Sequence, residues 1–514
     1  MSEKSFYITT AIDYPNGEPH IGHTLEKVSA DVVARYHRLL GDNTAFCMGL
    51  DENSQHIVRA AKEHGVSPQV WTDLMDEKFA QAWNALEISV DAWTRTTEPR
   101  HLRASVELFE RAQENGDIYK HVYAGWYCPN CNNYYTDAEL VDGHCPNHPS
   151  ITPDWLAEEN YFFALSKYED KLRAHFEANP EFVMPASRFP EMKALLDSGL
   201  KDFSVSRRAR EGSDAWGIPV PGDPSQVMYV WFDALTTYLT AIGFPDDMER
   251  FETFWPADSQ VIGKDITRFH CLYWPAMLMS AGLPLPRRIV VHGFLTLEGQ
   301  RISKTTGNVV DPVELAEEFG PDPIRFYLTR DTSFASDGDF SRVNLIRRYN
   351  DDLGNDLGNL LNRIVHMVGR YRDGVIPAPG EVGEYERALQ DVAAEATRAS
   401  AELIEHWELN VALESIWSLV RRVNQYLEER KPWSLAKDPV KAMELDATLW
   451  SVAEATRIAG LLLAPFIPAT SDRIMSQLGL DPLAAGDLAE KVGWGSVEFG
   501  SVRPAGPLFP KWEE

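Results

Sequence analysis

The chain has 514 residues, 44% hydrophobic and 25% charged, which is the balance of a folded multi-domain protein. Its formal net charge of −28 argues against nonspecific nucleic-acid binding, so a nucleic-acid partner must be held on local basic strips and by shape. The opening MSEKSFYITTAIDY lacks a basic segment followed by an apolar run, and no stretch approaches the roughly 20 apolar residues of a membrane helix; both point to a cytoplasmic protein that does not engage a membrane.

Residues 6–12 (FYITTAI) are apolar and β-branched and predict a buried strand. The loop DYPNGEP follows, then HIGHTLEKVSADVVARYHRLLG, a helical pattern with a glycine stop at Gly41. His20 and His23 are three apart on the first turn and face the same way. A helix N-terminus at the carboxyl edge of a sheet favours a phosphate, and Gly22 leaves room for a flat base to approach the backbone. By itself HIGH is equally a chance pattern on a surface turn. Residues 44–50 predict a second buried strand ending at Asp51, and 68–86 and 99–115 predict helices. Alternation of this kind implies a parallel sheet with crossovers.

Residues 116–225 change character, rich in aromatics and turn residues, and read as an insertion. Three of the five cysteines lie here, an odd total that fits a reducing compartment and a metal knuckle rather than a disulfide framework. Cys128–Cys131 and Cys145–His148 are both x2 turns, 13 residues apart, which lets four ligands close a tetrahedron around zinc. His144 competes as the fourth ligand, but its adjacency to Cys145 gives poorer geometry. Four protein ligands leave no open position, so the zinc reads as structural.

The strand–helix pattern resumes with VMYVWFDALTTYLTAI, a strand at SQVIG, a helix over 268–281 and a strand at RRIVVHG. A predicted hairpin, FLTLEGQ, leads into GQRISKTTGN, a polar loop with Arg301 and Lys304 that can close over a triphosphate and neutralise a departing pyrophosphate. From about residue 340 the patterns are almost all helical, with loops at 373–382 and after 480; the apolar run 458–467 reads as a buried helix. Asn359 and Arg363, four apart, share a helix face, and Trp433 follows a proline at a helix end. On residues alone this is a helix-bundle surface with a core tryptophan. Arg347-Arg348 and Arg421-Arg422 add local positive charge.

With both phosphate elements in one α/β chain, the sequence resembles the class I aminoacyl-tRNA synthetases: His20–His23 is similar to their HIGH signature, and Arg301-Ile-Ser-Lys-Thr305 to KMSKS. Its finer features resemble the methionyl-tRNA synthetases. The resemblance implies a Rossmann-type catalytic domain in two halves, 1–115 and 226–340, split by a zinc-bearing connective insertion at 116–225 and followed by an all-α anticodon-binding domain and tail at 341–514. It implies methionine, ATP and Mg²⁺ as reactants, initiator and elongator tRNA(Met) as partners, and a monomer. His20, Gly22, His23, Gly263, Asp265 and Lys304 match ATP-binding positions, with Arg301 also in the catalytic set. Ile12, Tyr14, Asp51, Trp231, Ala234, Leu235, Tyr238, Ile289 and His292 match methionine-binding positions; Asp51 suits an ammonium, and aromatic rings suit a thioether. Asn359, Arg363 and Trp433 match anticodon readers. The departures are Arg301 for lysine, Thr305 for serine, Asn53-Ser54 where the family often has His-Gly, and Leu235 for a proline. The alternatives are a leucyl or cysteinyl class I enzyme and a tRNA-binding protein without catalysis. The compact insertion, with all four zinc ligands inside it, disfavours the first, and the intact Lys304 disfavours the second.

Overall fold

The computed structural model describes residues 4–128, 133–212, 215–297, 299–302 and 309–513. Strand β1 (Ser5–Thr10) is apolar on both faces and almost wholly buried, as a central parallel strand must be. It pairs in parallel with β2 (Asn43–Leu50) on one side and with Ser259–Gly263 on the other. Strand β3 (Ala92–Arg95) extends the first side; Ile289–His292 and then Val183–Met184 extend the second. All five pairings are parallel. The chain therefore winds one way from β1 to β3 and the other way from Ser259–Gly263 onward. The crevice beyond the carboxyl ends of β1 and Ser259–Gly263 is the switch point, where such sheets hold ligands.

Helix α1 (Ile21–Leu40) crosses from β1 to β2 and ends on Gly41, whose φ of 89° permits the left-handed cap that returns the chain to β2. Helices Pro68–Ala85 and Pro99–Glu114 fall within a residue of the sequence pattern. Helix Gln55–Glu63 was not anticipated: it is short and buries only Ile57, Val58, Ala60 and Ala61. The helix expected over 268–281 starts as a wide π turn, Phe269–Tyr273, before tightening at Trp274–Ser280.

The segment 116–225 carries its own antiparallel sheet, built on Ile118–Cys128 paired with Asp154–Phe163. It is not wholly separate, because Val183–Met184 returns to the edge of the main sheet. A small sheet of Leu295–Leu297, Gln300–Arg301 and Gly338–Phe340 leads to the helical region, whose long members are Asn359–Arg372, Glu384–Glu405, Leu409–Arg430 and Ala442–Leu463. Among the described residues no helix is long and apolar enough to cross a membrane.

One side chain fastens the helical region to the helices that cover the sheet. Arg325, fully buried, pairs with Asp31 of α1 at 2.7 Å and donates to the carbonyls of Leu86, Pro465 and Phe466. A buried guanidinium persists only when paired and fully hydrogen-bonded, and here it is both. Replacing Arg325 by Met should cost about 3–5 kcal/mol, because three buried carbonyls lose their donor and Asp31 keeps only the partly exposed Arg35 as its cation. A thermal unfolding midpoint indistinguishable from that of the native chain would refute this role.

Candidate active site

The first turn of α1 is capped by its own histidines. His20 is the N-cap, and its Nδ1 accepts from Gly22 N–H at 3.1 Å; His23 Nδ1 accepts from His20 N–H at 3.2 Å. His20 Nδ1 is thus engaged as an acceptor, which leaves its Nε2 to donate; His23 Nδ1 also lies 3.3 Å from His20 O, a partner to which it would donate in the other tautomer. The rings lie 4.0 Å apart, centroid to centroid. Gly22 is required by close approach: a Cβ there would lie 2.9 Å from the His20 ring. The result is a positive helix end bearing two imidazoles, suited to phosphate oxygens.

The basic loop reaches the same place by both ends. Ile302 Cδ1 stands 3.6 Å from where a Gly22 Cβ would be, and Val310 O accepts from Ile21 N–H at 2.9 Å. Lys304 and the side chain of Arg301 lie outside the described residues; the flanking residues Ile302 and Val310 meet the first turn of α1.

Behind this turn lies a buried charge network absent from the sequence reading. Lys27 has no solvent exposure; its Nζ meets Ala11 O at 2.7 Å, Asp13 at 3.2 Å and Glu26 at 3.4 Å. Burial alone would lower the Lys27 pKa, but the two carboxylates outweigh it and hold the group charged. Burial lifts Asp13 to about 6 despite Lys27. Glu26 goes the other way, because Lys27, His292 and Ala11 N–H together overcome burial. His292 is committed here, at 3.1 Å from Glu26, rather than to an aromatic pocket.

The apolar pocket gathers around helix Val230–Thr240. Trp231 stacks on Phe269 at 3.9 Å and 6°, with Ala234 and Leu235 buried beside it. The histidine that joins them is His270, which the sequence reading missed. Its Nε2 lies 2.7 Å from the Tyr238 hydroxyl, and its ring meets that of Trp231 edge-on at 6.5 Å. Burial pulls its pKa down to about 4, so the ring is neutral. Ile289 opens the strand that His292 closes, about 10 Å of strand away from the ligand edge, and packs into the core. Ile12 lies against Gly49, and the Tyr14 hydroxyl hydrogen-bonds Asp51. Asp51 and Asp233 are both buried and electrostatically linked. Burial raises each above the ordinary carboxylate range, and Asp51 raises Asp233 further. Gly263 ends its strand at the crevice, with the Asp265 carboxylate folded back over it, 2.8 Å from where a Cβ would be.

Two further clusters lie apart. Cys128, Cys145 and His148 bring their ligand atoms within 4.8 Å of one another, with sulfur-to-nitrogen separations of 3.9 and 3.8 Å. Tetrahedral zinc with one sulfur and one nitrogen ligand would set them about 3.6 Å apart, so the donors fit. His144 turns to Asp142 O instead, and Cys131 lies outside the described residues. In the helical region, Arg363 lies 5.8 Å over the ring of half-buried Trp433, with exposed Asn359 one turn earlier. Arg348, Arg421 and Arg422 are each paired with a carboxylate, so they supply little unbalanced positive charge.

Comparison with known proteins agrees with this geometry. The profile described as "tRNA synthetases class I (M)" matches residues 6–152 and 149–365. That of the "Anticodon binding domain of methionyl tRNA ligase" matches 376–493. The methionine–tRNA ligase of Caldanaerobacter subterraneus subsp. tengcongensis is 44% identical over 502 residues, 98% of this chain and 77% of the relative. That of Brucella suis biovar 1 is 41% identical over 520 residues, spanning 100% and 99%. The structure of Mycobacterium tuberculosis methionyl-tRNA synthetase in complex with methionyl-adenylate matches with a TM-score of 0.93 at 41% identity, over 99% of this chain and 100% of that one. Switch-point sheet, histidine-capped helix and helical appendage define a class I aminoacyl-tRNA synthetase. Within that class, the chain belongs to the methionyl-tRNA synthetase family.

The network under the site yields a prediction. Replacing Lys27 by Met strands Asp13 and Glu26 in the interior and should destabilise the chain by about 3–5 kcal/mol. Calorimetry showing an unchanged melting temperature would count against a charged Lys27.

Proposed function

We propose that the chain activates methionine with ATP to methionyl-adenylate and pyrophosphate, then transfers methionine to the 3′ end of initiator and elongator tRNA(Met), with the following division of labour. His20 and His23 donate from Nε2 to phosphate oxygens as charge develops on in-line displacement. Lys304, with Arg301, neutralises the departing pyrophosphate, and Mg²⁺ accompanies ATP. Gly263 and Asp265 hold the ATP ribose, the carboxylate accepting from its hydroxyls. Asp51 holds the methionine ammonium, and Tyr14 fixes Asp51. Ile12, Trp231, Ala234, Leu235 and Tyr238 wall the thioether. We add His270 to that wall and remove His292 and Ile289, whose partners lie elsewhere.

The observation that carries the reading is the docking of both ends of the 303–308 segment on the first turn of α1, through Ile302 and Val310. The solved M. tuberculosis protein carries methionyl-adenylate, the product of such a site. Arg363 and Trp433 read the anticodon by charge and stacking, with Asn359 contacting base edges. In this reading 1–115 and 226–340 form the catalytic halves, 116–225 the connective insertion and 341–514 the RNA-reading domain of a cytoplasmic monomer.

Methionine-dependent exchange of pyrophosphate into ATP is the test. Methionine, and not leucine or cysteine, should drive it, and Lys304→Ala should lower its rate about 10²–10³-fold, the cost of one transition-state donor. Exchange driven only by leucine or cysteine would reject the assignment.

Cys128, Cys131, Cys145 and His148 hold a structural zinc that stiffens the insertion and takes no part in the chemistry. Purified chain should contain one zinc, and Cys145→Ser should lose it with a lower melting temperature. Metal analysis that finds no zinc in the native chain would dismiss the knuckle.

A further inference from the structure

Asn53 stands at the meeting of three elements. It follows β2 by three residues, and its backbone N–H donates to Asp51. Its side-chain amide donates to Thr96 O at 3.0 Å, just past β3, and to Asp233 Oδ2 at 3.1 Å, in the first turns of Val230–Thr240. The carbonyl of Thr96 can only accept, so the amide orientation is settled by chemistry: nitrogen faces both partners.

Asp233 has no solvent exposure, and Asp51 is 2% exposed. Each keeps one oxygen, Oδ1, to which no donor comes among the described residues. Interiors rarely leave carboxylate oxygens in that condition, because each costs a desolvation penalty unless something completes it. Here two occur near the Tyr14 hydroxyl, and Asp233 shares its helix with Trp231, Ala234 and Leu235. A primary ammonium, compact and with three N–H donors, completes both at once.

We infer that Asp233 is the second carboxylate of the ammonium site, touching the substrate beside Asp51, and that Asn53 is the positioning residue that holds it there. The inference rests on the methionine-activating reading. One cation between two carboxylates leaves one negative charge, which the Asn53 amide and the Ala234 N–H stabilise on Asp233. The site thereby selects a zwitterionic amino acid over the same molecule without its ammonium. Asn53 matters only through Asp233.

Pyrophosphate exchange on the full chain separates these claims, using Asn53→Ala, Asp233→Asn and the double variant. Asp233→Asn should raise the methionine KM about tenfold or more, the range expected for a charged hydrogen bond, with the ATP KM changed less than about twofold. Asn53→Ala should raise the methionine KM in the same selective way and add nothing in the Asp233→Asn background. Inhibition by 4-(methylthio)butanoate, which keeps the thioether and carboxylate but lacks the ammonium, should be unmoved in all three. Methionine KM values within about twofold of the native chain, equal weakening of the ammonium-free inhibitor, or single effects that multiply in the double variant would each overturn the inference. Should Asp233→Asn fail to fold by circular dichroism, Asn53→Ala alone decides through methionine KM against inhibitor KI. A native chain without methionine-dependent exchange sinks the functional reading itself; normal exchange with insensitive variants sinks only this inference.

Discussion

Lys27 is an ammonium group with no access to water, in the helix that carries the HIGH turn. Such a group survives only where carboxylates and carbonyls replace its hydration, and the replacements come from several elements: Ala11 and Asp13 just past β1, Glu26 beside it, and His292 through Glu26. Each partner is anchored in turn, Glu26 by Ala11 N–H and His292 by Gly293 O. The network pins the opening half of α1 to the ends of two parallel strands. The orientation of the His20 and His23 turn follows from that pinning, because the cap has no freedom once the helix behind it is held.

From this anchor the rest of the crevice is positioned by short links. Gly263 lies beside His292 across paired strands, which sets the Lys264–Ile266 turn against the same helix end. Lys264 is tied to Asp337 by two contacts of 2.7 Å, and Asp337 also accepts from Phe294 N–H, so the small sheet leading to the basic loop is fastened to the same edge. The site is a set of strand ends held in register, with the apolar pocket formed by helix Val230–Thr240, the π turn at Phe269–Tyr273 and the residues just past β1.

The charge of −28 is reconciled with an RNA partner at the level of pairs. Most arginines on the helical surface are engaged by neighbouring acids, so the region offers no broad basic face. Arg363 is paired as well, with Glu428 at 2.7 Å, and its guanidinium also lies over Trp433, so what the region offers is local. That arrangement favours recognition of a particular unstacked base over indiscriminate attraction to phosphate.

Local chemistry and periodicity determined a good deal. The runs FYITTAI and SQVIG are strands because β-branched, apolar segments of that length suit the centre of a parallel sheet. The α1 boundaries follow from its cap and its glycine stop, and the histidine turn and the cluster of Cys128, Cys145 and His148 were legible because they depend on spacing along the chain. Tertiary structure alone decided the features that depend on distant partners. Asp233 reads as one polar residue in an apolar helix until Asn53, 180 residues earlier, is brought against it. His270 and His292 look alike in sequence; which of them meets Tyr238 and which meets Glu26 is set by the π turn at Phe269–Tyr273 and the parallel register of Ile289–His292. Lys27 has the appearance of an exposed helix lysine until the sheet closes over it. Burial and long-range pairing are properties of the packed whole, and no local pattern of side chains encodes them.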